Sequence, residues 1–123
     1  MSYDVSIKVK VQDKPIYVSL GVGNANITWN VRELIKQSSG WEIKNCASNG
    51  SVLEWAEKIE HGKSELERNP KKYKQYEAKN GWGTIDGVLH FYNDCLDMVK
   101  WFKWGYGNGD ENDLTDCAVV WVE

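Results

Sequence analysis

The chain has 123 residues, of which 41% are hydrophobic, and this suits one domain, residues 1–123, with a core that needs no disulfide or metal to fold. Its 15 basic and 18 acidic residues give a net charge of −3, which argues against nonspecific nucleic-acid binding, since that requires a concentrated positive surface, but leaves room for a local basic patch. No stretch approaches the length of about 20 apolar residues that spans a membrane, and the alternating first residues do not resemble a signal peptide. We therefore expect a cytoplasmic protein with no membrane partner.

Two strands are predicted at the start, where apolar and polar residues alternate along residues 5–11 and again along residues 16–20. Asp13, Lys14 and Pro15 lie between them and predict a turn, so that residues 3–20 form an antiparallel hairpin. The glycines and asparagines of GVGNAN, residues 21–26, are typical of turns. We expect the hairpin to end there.

Helices are predicted next, because the hydrophobic period changes to 3.6. Asn30 and Glu33 have the spacing of a capping box, and residues 38–40 (SSG) end that short helix. Ser51 begins a second helix, which Gly62 closes or bends, and Pro70 marks a later boundary.

The longest helix is predicted from Ile85 to about Trp104, with Thr84 as its cap. Its apolar residues form one stripe: Ile85, Val88, Leu89, Tyr92, Cys95, Leu96, Val99 and Phe102, widened by Met98, Trp101 and Trp104. Residues 117–122 (CAVVWV) predict a strand in the middle of the sheet. The predicted fold is therefore α+β, a two-layer sandwich in which three to four helices pack on an antiparallel sheet formed by the hairpin and the C-terminal strand.

Catalytic and metal-binding patterns are weak. Cys46, Cys95 and Cys117 are an odd number without CxxC spacing, so we expect buried thiols rather than disulfides or a zinc site. His90 with Asp86 or Asp94 is the best acid–base pair for a hydrolase, and a Cys95–His nucleophile is a weaker alternative. The polar loop NGDENDLTD holds Asp110 and Asp113 but lacks the calcium-loop pattern, so we expect a solvated loop. We predict a protein that is not an enzyme and has no metal or cofactor.

Aromatic residues are the more informative feature, since seven Trp and six Tyr are many for this length. Trp101 and Trp104 are predicted to be exposed anchors for a partner, because the long helix has enough other apolar residues to seat it. The Asp110 and Asp113 loop is a further candidate contact. Tyr73 and Tyr76 lie among lysines, so nucleic-acid binding is possible but not favoured.

The segment AKNGWGTIDG, residues 78–87, carries the remaining candidates, Asn80, Trp82 and Thr84. Glycines on both sides of Trp82 predict a joint that turns the chain into the long helix, with the indole in the core. Alternatively, Trp82 and Trp29 line a pocket between NITWN and NGWGT that binds a small molecule or nucleotide, since free amides at a helix N-terminus attract anions.

NITWN (residues 26–30) and LERNPKKYKQYEAKNGWGTIDGVLHFYNDCL (residues 66–96) together resemble a family of small proteins encoded by bacteriophages and prophages, with N-I-T-x-N and N-G-W-G-T motifs. This chain differs in having Trp29 within the first motif and a longer loop at residues 105–116. The resemblance implies a mobile-element origin and an α+β fold. Together with the small size and the many aromatics, it leads us to expect an accessory protein in the host cytoplasm that binds a host or phage macromolecule, for example to inhibit a CRISPR or restriction system.

Overall fold

The computed structural model describes residues 2–11, 13–14, 16–79, 81, 83–111 and 113–123. Within them the chain forms four strands, four helices and two short 3₁₀ turns. The strands are β1 (Ser2–Lys10), β2 (Tyr17–Thr28), β3 (Ala47–Ser51) and β4 (Ala118–Val122). The helices are α1 (Arg32–Ser39), α2 (Val52–Arg68), α3 (Pro70–Tyr73) and α4 (Ile85–Tyr106), and the 3₁₀ turns are Trp29–Val31 and Lys74–Tyr76.

The strands form one antiparallel sheet in the order β2-β1-β4-β3, and the helices pack on one of its faces. The predicted α+β two-layer class is confirmed, as is the predicted interior position of the C-terminal strand. The prediction of three strands is corrected, since β3 pairs with β4 as a fourth. Its sequence ASNGS has no apolar alternation, so the periodicity of side chains gave no signal for it.

The predicted hairpin forms, but its second strand does not end at the glycines. β2 continues to Thr28 and pairs Asn24 with Ser6 and Ser19 with Lys8. Four residues, 20–23, therefore bulge opposite Ile7 alone. Gly21 and Gly23 have φ values of +69° and +112°, and glycine adopts such angles without steric cost. The glycines make a bulge inside a long strand rather than a turn.

The start of α1 also differs from the prediction. A 3₁₀ turn, Trp29–Val31, precedes the helix, and Val31 occupies the cap position with no side-chain cap. Glu33 accepts a hydrogen bond from the Gln37 side chain at 2.7 Å instead of reaching back to Asn30. Val31 is fully buried, so its packing in the core fixes this end of the helix without a polar cap.

Gly62 neither closes nor bends α2, which continues to Arg68. A β-carbon built at Gly62 would lie 2.8 Å from Ser39 Cβ and 2.8 Å from Tyr92 Cε2. The glycine is therefore the place where α1, α2 and α4 approach one another closely. The predicted start of α2 at Ser51 is confirmed, since its hydroxyl accepts a hydrogen bond from the Glu54 amide.

α4 begins at Ile85 with the Thr84 hydroxyl as its cap, as predicted, and extends two residues past Trp104. Its buried residues are Ile85, Val88, Phe91, Tyr92, Cys95, Met98, Val99 and Phe102. Leu89 and Leu96, which the stripe included, are only partly buried. The buried face of α4 is thus rotated slightly from the predicted stripe, away from Leu89 and Leu96 and toward Phe91 and Met98. Trp101 and Trp104 still lie outside it.

Candidate functional site

A groove of about 600 Å³ lies between the bulge of β2 and the last turn of α4. Residues 20–23 form one wall, and the other is formed by Trp101, Trp104, Gly105 and Tyr106. Both walls follow from local sequence. The GVG stretch makes the bulge of β2. α4 continues to Tyr106, past its last buried residue, Phe102.

Trp101 and Trp104 border this groove as a pair of exposed indoles. Their ring centroids are 5.9 Å apart and the rings are nearly perpendicular. Trp101 is 53% exposed and Trp104 is 75% exposed, so the predicted exposure of both side chains is confirmed. Two apolar residues near the start of β2 are also about half exposed: Val18 within the strand and Ile16 just before it. Exposed apolar side chains are therefore concentrated at this end of the sheet.

The glycines of the bulge leave the β2 wall without side chains. A β-carbon at Gly21 or Gly23 would meet no atom within 4 Å. Larger residues at these positions would project into free space and would be strained at positive φ. Glycine in a strand often marks a close approach of another backbone. This wall was not predicted, because the composition of GVGNAN is typical of a turn.

Val31, the residue after the first motif of the resemblance, lies against Gly83 of the second. A β-carbon at Gly83 would overlap the Val31 Cγ1 methyl, so only glycine permits this approach. The Ala78 amide donates to the Gly83 carbonyl at 2.8 Å and closes the loop. This contact is consistent with the predicted joint, although Asn80 and Trp82, on which that prediction also depends, lie outside the described residues.

A small pocket of about 260 Å³ does lie between the two motifs. Its described lining is mostly apolar and glycine: Ile27, Thr28, Val31, Gly81, Gly83, Thr84 and Gly87. Trp29 is half exposed and lines a different, more polar pocket with Tyr3, Arg32 and Lys36. Among the described residues, therefore, Trp29 is not a wall of the pocket between the motifs.

The helix N-terminus beside this pocket already holds a carboxylate. Glu77 Oε2 accepts a hydrogen bond of 2.8 Å from the Ile85 amide, and Thr84 Oγ1 accepts one of 3.1 Å from the Gly87 amide. An acidic group is favoured here because the helix dipole is positive at this end. Glu77 thus occupies the position that the sequence analysis considered for an external anion.

The acidic loop is organised by its own hydrogen bonds. Asp113 accepts from the Gly109 amide at 3.0 Å and from the Thr115 amide at 2.8 Å. The hydrogen bonds with Thr115 lower the pKa of Asp113 from its ordinary value. Asp110 accepts from the Asp113 amide through its backbone carbonyl. In the described part of the chain, no three His, Cys, Asp or Glu residues form a group that could hold a metal ion.

The other candidate groups are dispersed. Burial raises the pKa of the Cys95 thiol well above its ordinary value, which makes it a poor nucleophile. The prediction of buried thiols is confirmed at Cys95, whereas Cys46 is exposed, which makes the prediction wrong there, and Cys117 is only partly buried. His90 Nε2 lies 3.6 Å from Asp94 Oδ2 on the solvent side of α4. Tyr73 is buried, which removes one of the two stacking surfaces considered for nucleic acid.

Among the described residues, no helix is both long and apolar enough to cross a membrane. Comparisons with models of protein families, with curated proteins and with solved structures gave no match. The phage family with N-I-T-x-N and N-G-W-G-T motifs therefore stays a prediction from sequence, and the function has to be argued from the geometry above.

Proposed function

We propose that this protein is a non-enzymatic binding protein and that the groove between β2 and α4 is its partner-contacting surface. One observation carries the proposal: two adjacent indoles, Trp101 and Trp104, border the groove and are more than half exposed. Neither indole is needed to seat α4, since eight other residues of that helix are buried.

Exposed tryptophan pairs favour binding for a physical reason. An indole covers a large apolar area with only two rotatable bonds, so a partner buries much surface at a small entropic cost. Tryptophan is accordingly among the residues enriched at the centres of protein interfaces. Clustered exposed apolar side chains mark interaction sites more often than isolated ones do.

The partner class follows from the sequence resemblance and remains part of the proposal. We propose a host or phage protein, and specifically a component of a bacterial defence system such as a CRISPR or restriction enzyme. Expression of the protein should then raise the plaquing efficiency of a phage on a strain that carries the targeted system. The Trp101→Ala/Trp104→Ala variant should not raise it. No change in plaquing on any tested defence system would contradict this partner class but not the binding surface.

The binding surface is tested by affinity capture from bacterial lysates with three forms of the protein. The wild type and Trp29→Ala should retain the same partner, and Trp101→Ala/Trp104→Ala should lose it. Trp29 is a matched control because it is a half-exposed indole at the opposite end of β2. Equal capture of that partner by the double variant would overturn the proposal, provided that circular dichroism shows all three proteins folded.

A second candidate function is supported by the pocket of about 260 Å³ between the motifs, which suits a small molecule or part of a nucleotide. Gly87→Leu would fill this pocket from the first turn of α4, and leucine favours a helix more than glycine does. A nucleotide that binds there should raise the melting temperature of the wild type and not that of Gly87→Leu. Equal shifts in both proteins, or none in the wild type with any common nucleotide, would argue against this function.

A further inference from the structure

The groove lies at one end of a pairing between an edge strand and a helix. At one end of β2, Thr28 and Gly87 line the same small pocket, and at the other end residues 20–23 face Trp101 and Tyr106. α4 therefore runs antiparallel along β2, and its flank lies beside the strand. Extended peptides bind beside such a helix by adding a strand to the exposed edge of the sheet.

The outer edge of β2 lacks the features that usually protect an edge strand. Its sequence, YVSLGVGNANIT, has no charged residue and no proline over 12 residues. β2 is the terminal strand of the sheet in the described part of the chain, with β1 on its inner side. Natural edge strands are commonly shortened, charged or covered, because unpaired backbone groups recruit other strands. β2 has the glycine bulge alone, and it lies next to the groove.

The neighbouring flank of α4 supplies charge. Asp97 is four residues before Trp101 and Asp94 is seven before it, so both carboxylates lie on the same side of the helix as that indole. Lys100 lies four residues before Trp104 and so borders the second indole, whereas Lys103 lies about 200° around the helix from Trp101. His90 and Asp86 are further groups on this flank, and His90 Nε2 lies 3.6 Å from Asp94 Oδ2. A ligand along β2 would thus meet indoles at one end and carboxylates beside them.

We propose that the groove binds an extended segment of a partner protein, which pairs with the outer edge of β2, places an apolar side chain against Trp101 and Trp104, and directs a basic side chain toward Asp94 and Asp97. This inference rests on the proposed function and names the chemistry of its partner. A second copy of this chain fits less well. Its own β2 has no basic residue to meet the carboxylates.

The test is a selection from a displayed library of random twelve-residue peptides on the wild-type protein, with counter-selection on Trp101→Ala/Trp104→Ala. Enriched peptides should alternate apolar residues, carry Lys or Arg, and lack proline at their centre. Enrichment of sequences with helical spacing or acidic charge would overturn the inference.

Binding of one enriched synthetic peptide then tests the geometry. Those amide protons of residues 17–27 that do not pair with β1 should gain protection from hydrogen exchange. Proline in place of a central peptide residue should weaken binding at least about tenfold, because it removes a backbone donor. Asp94→Asn/Asp97→Asn should weaken binding about three- to tenfold at low salt and less at high salt. The matched control, Glu57→Gln/Glu60→Gln on α2, has the same change in net charge and should leave the affinity unchanged.

The outcomes separate this inference from the proposed function. Peptide binding that depends on Trp101 and Trp104 but leaves the β2 amides unprotected would overturn strand addition and leave the binding surface intact. Concentration-dependent dimerisation that protects the same amides in the absence of peptide would identify a second copy as the occupant and overturn the proposed peptide. The binding surface itself would be contradicted if two results occurred together: the selection enriches no peptide, and the lysate partner binds the Trp101→Ala/Trp104→Ala variant as well as it binds the wild type.

Discussion

Two pairs of tryptophans among the described residues have similar geometry in opposite surroundings. Trp41 and Trp55 have ring centroids 5.4 Å apart, Trp101 and Trp104 have centroids 5.9 Å apart, and both pairs are nearly perpendicular. The first pair is 3% and 2% exposed, whereas the second is 53% and 75% exposed. The same kind of contact between two tryptophan side chains therefore occurs once inside the core and once on the surface.

The difference lies in what surrounds each pair. Trp41 stacks on Phe91 with centroids 6.5 Å apart, and Trp55 lies on the buried face of α2. Burial of these indoles stabilises the folded state. The surface pair leaves most of its apolar area in water, so the corresponding free energy is gained only when a partner covers it. The core pair should accordingly control stability and the surface pair binding.

The largest effect is expected at the core pair. Trp55→Ala should lower the free energy of unfolding by about 3–5 kcal/mol, since it leaves a cavity that the packed helices cannot fill. Trp55→Phe should cost less, because within the described structure the Trp55 Nε1 proton is buried without an acceptor and phenylalanine removes it. Urea unfolding followed by circular dichroism measures both. A loss below about 1 kcal/mol for Trp55→Ala would show that this pair does not stabilise the core.

A substitution at Gly62 tests how closely the helices around that core approach one another. Gly62→Ala should destabilise the protein by about 1–3 kcal/mol, because the new methyl group would press on Ser39 and on the ring of Tyr92. Gly105→Ala is the matched control on α4, where an added β-carbon meets nothing within 4 Å. It should stabilise the helix by about 0.5–1 kcal/mol. Destabilisation of equal size at both positions would point to a general intolerance of alanine rather than to close packing.

A buried hydrogen bond gives the next effect in size. The Tyr92 and Ser38 hydroxyls share a hydrogen bond of 2.7 Å that joins α4 to α1. Tyr92→Phe should cost about 1 kcal/mol at neutral pH, since the Ser38 hydroxyl keeps its bond to the Leu34 carbonyl. Thermal or urea unfolding at pH 7 measures this loss. Ser38→Ala should cost a similar amount, and the double variant should cost less than the sum of the two.

The pH dependence of the same pair has a definite sign. Burial raises the pKa of Tyr92 from 10.0 to about 12, so the folded state favours the neutral phenol. Its contribution is fully present below pH 10, and it is lost as the pH rises toward 12 because the unfolded chain ionises first. Wild type should therefore lose more stability than Tyr92→Phe across that window. Parallel pH profiles for the two proteins would contradict the raised pKa.

Periodicity in the sequence was sufficient for most elements of the fold. The alternation of β1 and the caps at Ser51 and Thr84 are local patterns, and the structure confirms them. The apolar stripe of α4 is confirmed as a helix face, but the buried face is rotated from it. The fourth strand was not predictable in this way. β3 is short and polar, and it is a strand because its backbone pairs with β4, which is a nonlocal contact.

Glycine was the residue that sequence reasoning interpreted least well. Gly21, Gly23 and Gly62 were all assigned to chain breaks, yet the first two lie in a bulge of β2 and the third at a helix crossing. A missing side chain permits a turn, a bulge or a close approach, and only the neighbouring elements determine which occurs. The exposure of the surface indoles was predictable from helical spacing, whereas their groove was not, because its other wall is the bulge.

The smallest effect on stability is expected at the surface pair. Trp104→Ala should change the free energy of unfolding by less than about 0.5 kcal/mol, because its side chain is 75% exposed. Trp101→Ala should cost about 1 kcal/mol at most, because about half of its side chain is in water already. The double variant measured in urea beside Trp55→Ala gives the direct comparison. If removal of the surface pair destabilised the protein as much as Trp55→Ala does, the indoles would be structural, and their exposure would no longer support a binding surface. A stable double variant that has lost its partner would instead assign the two tryptophan pairs to separate tasks.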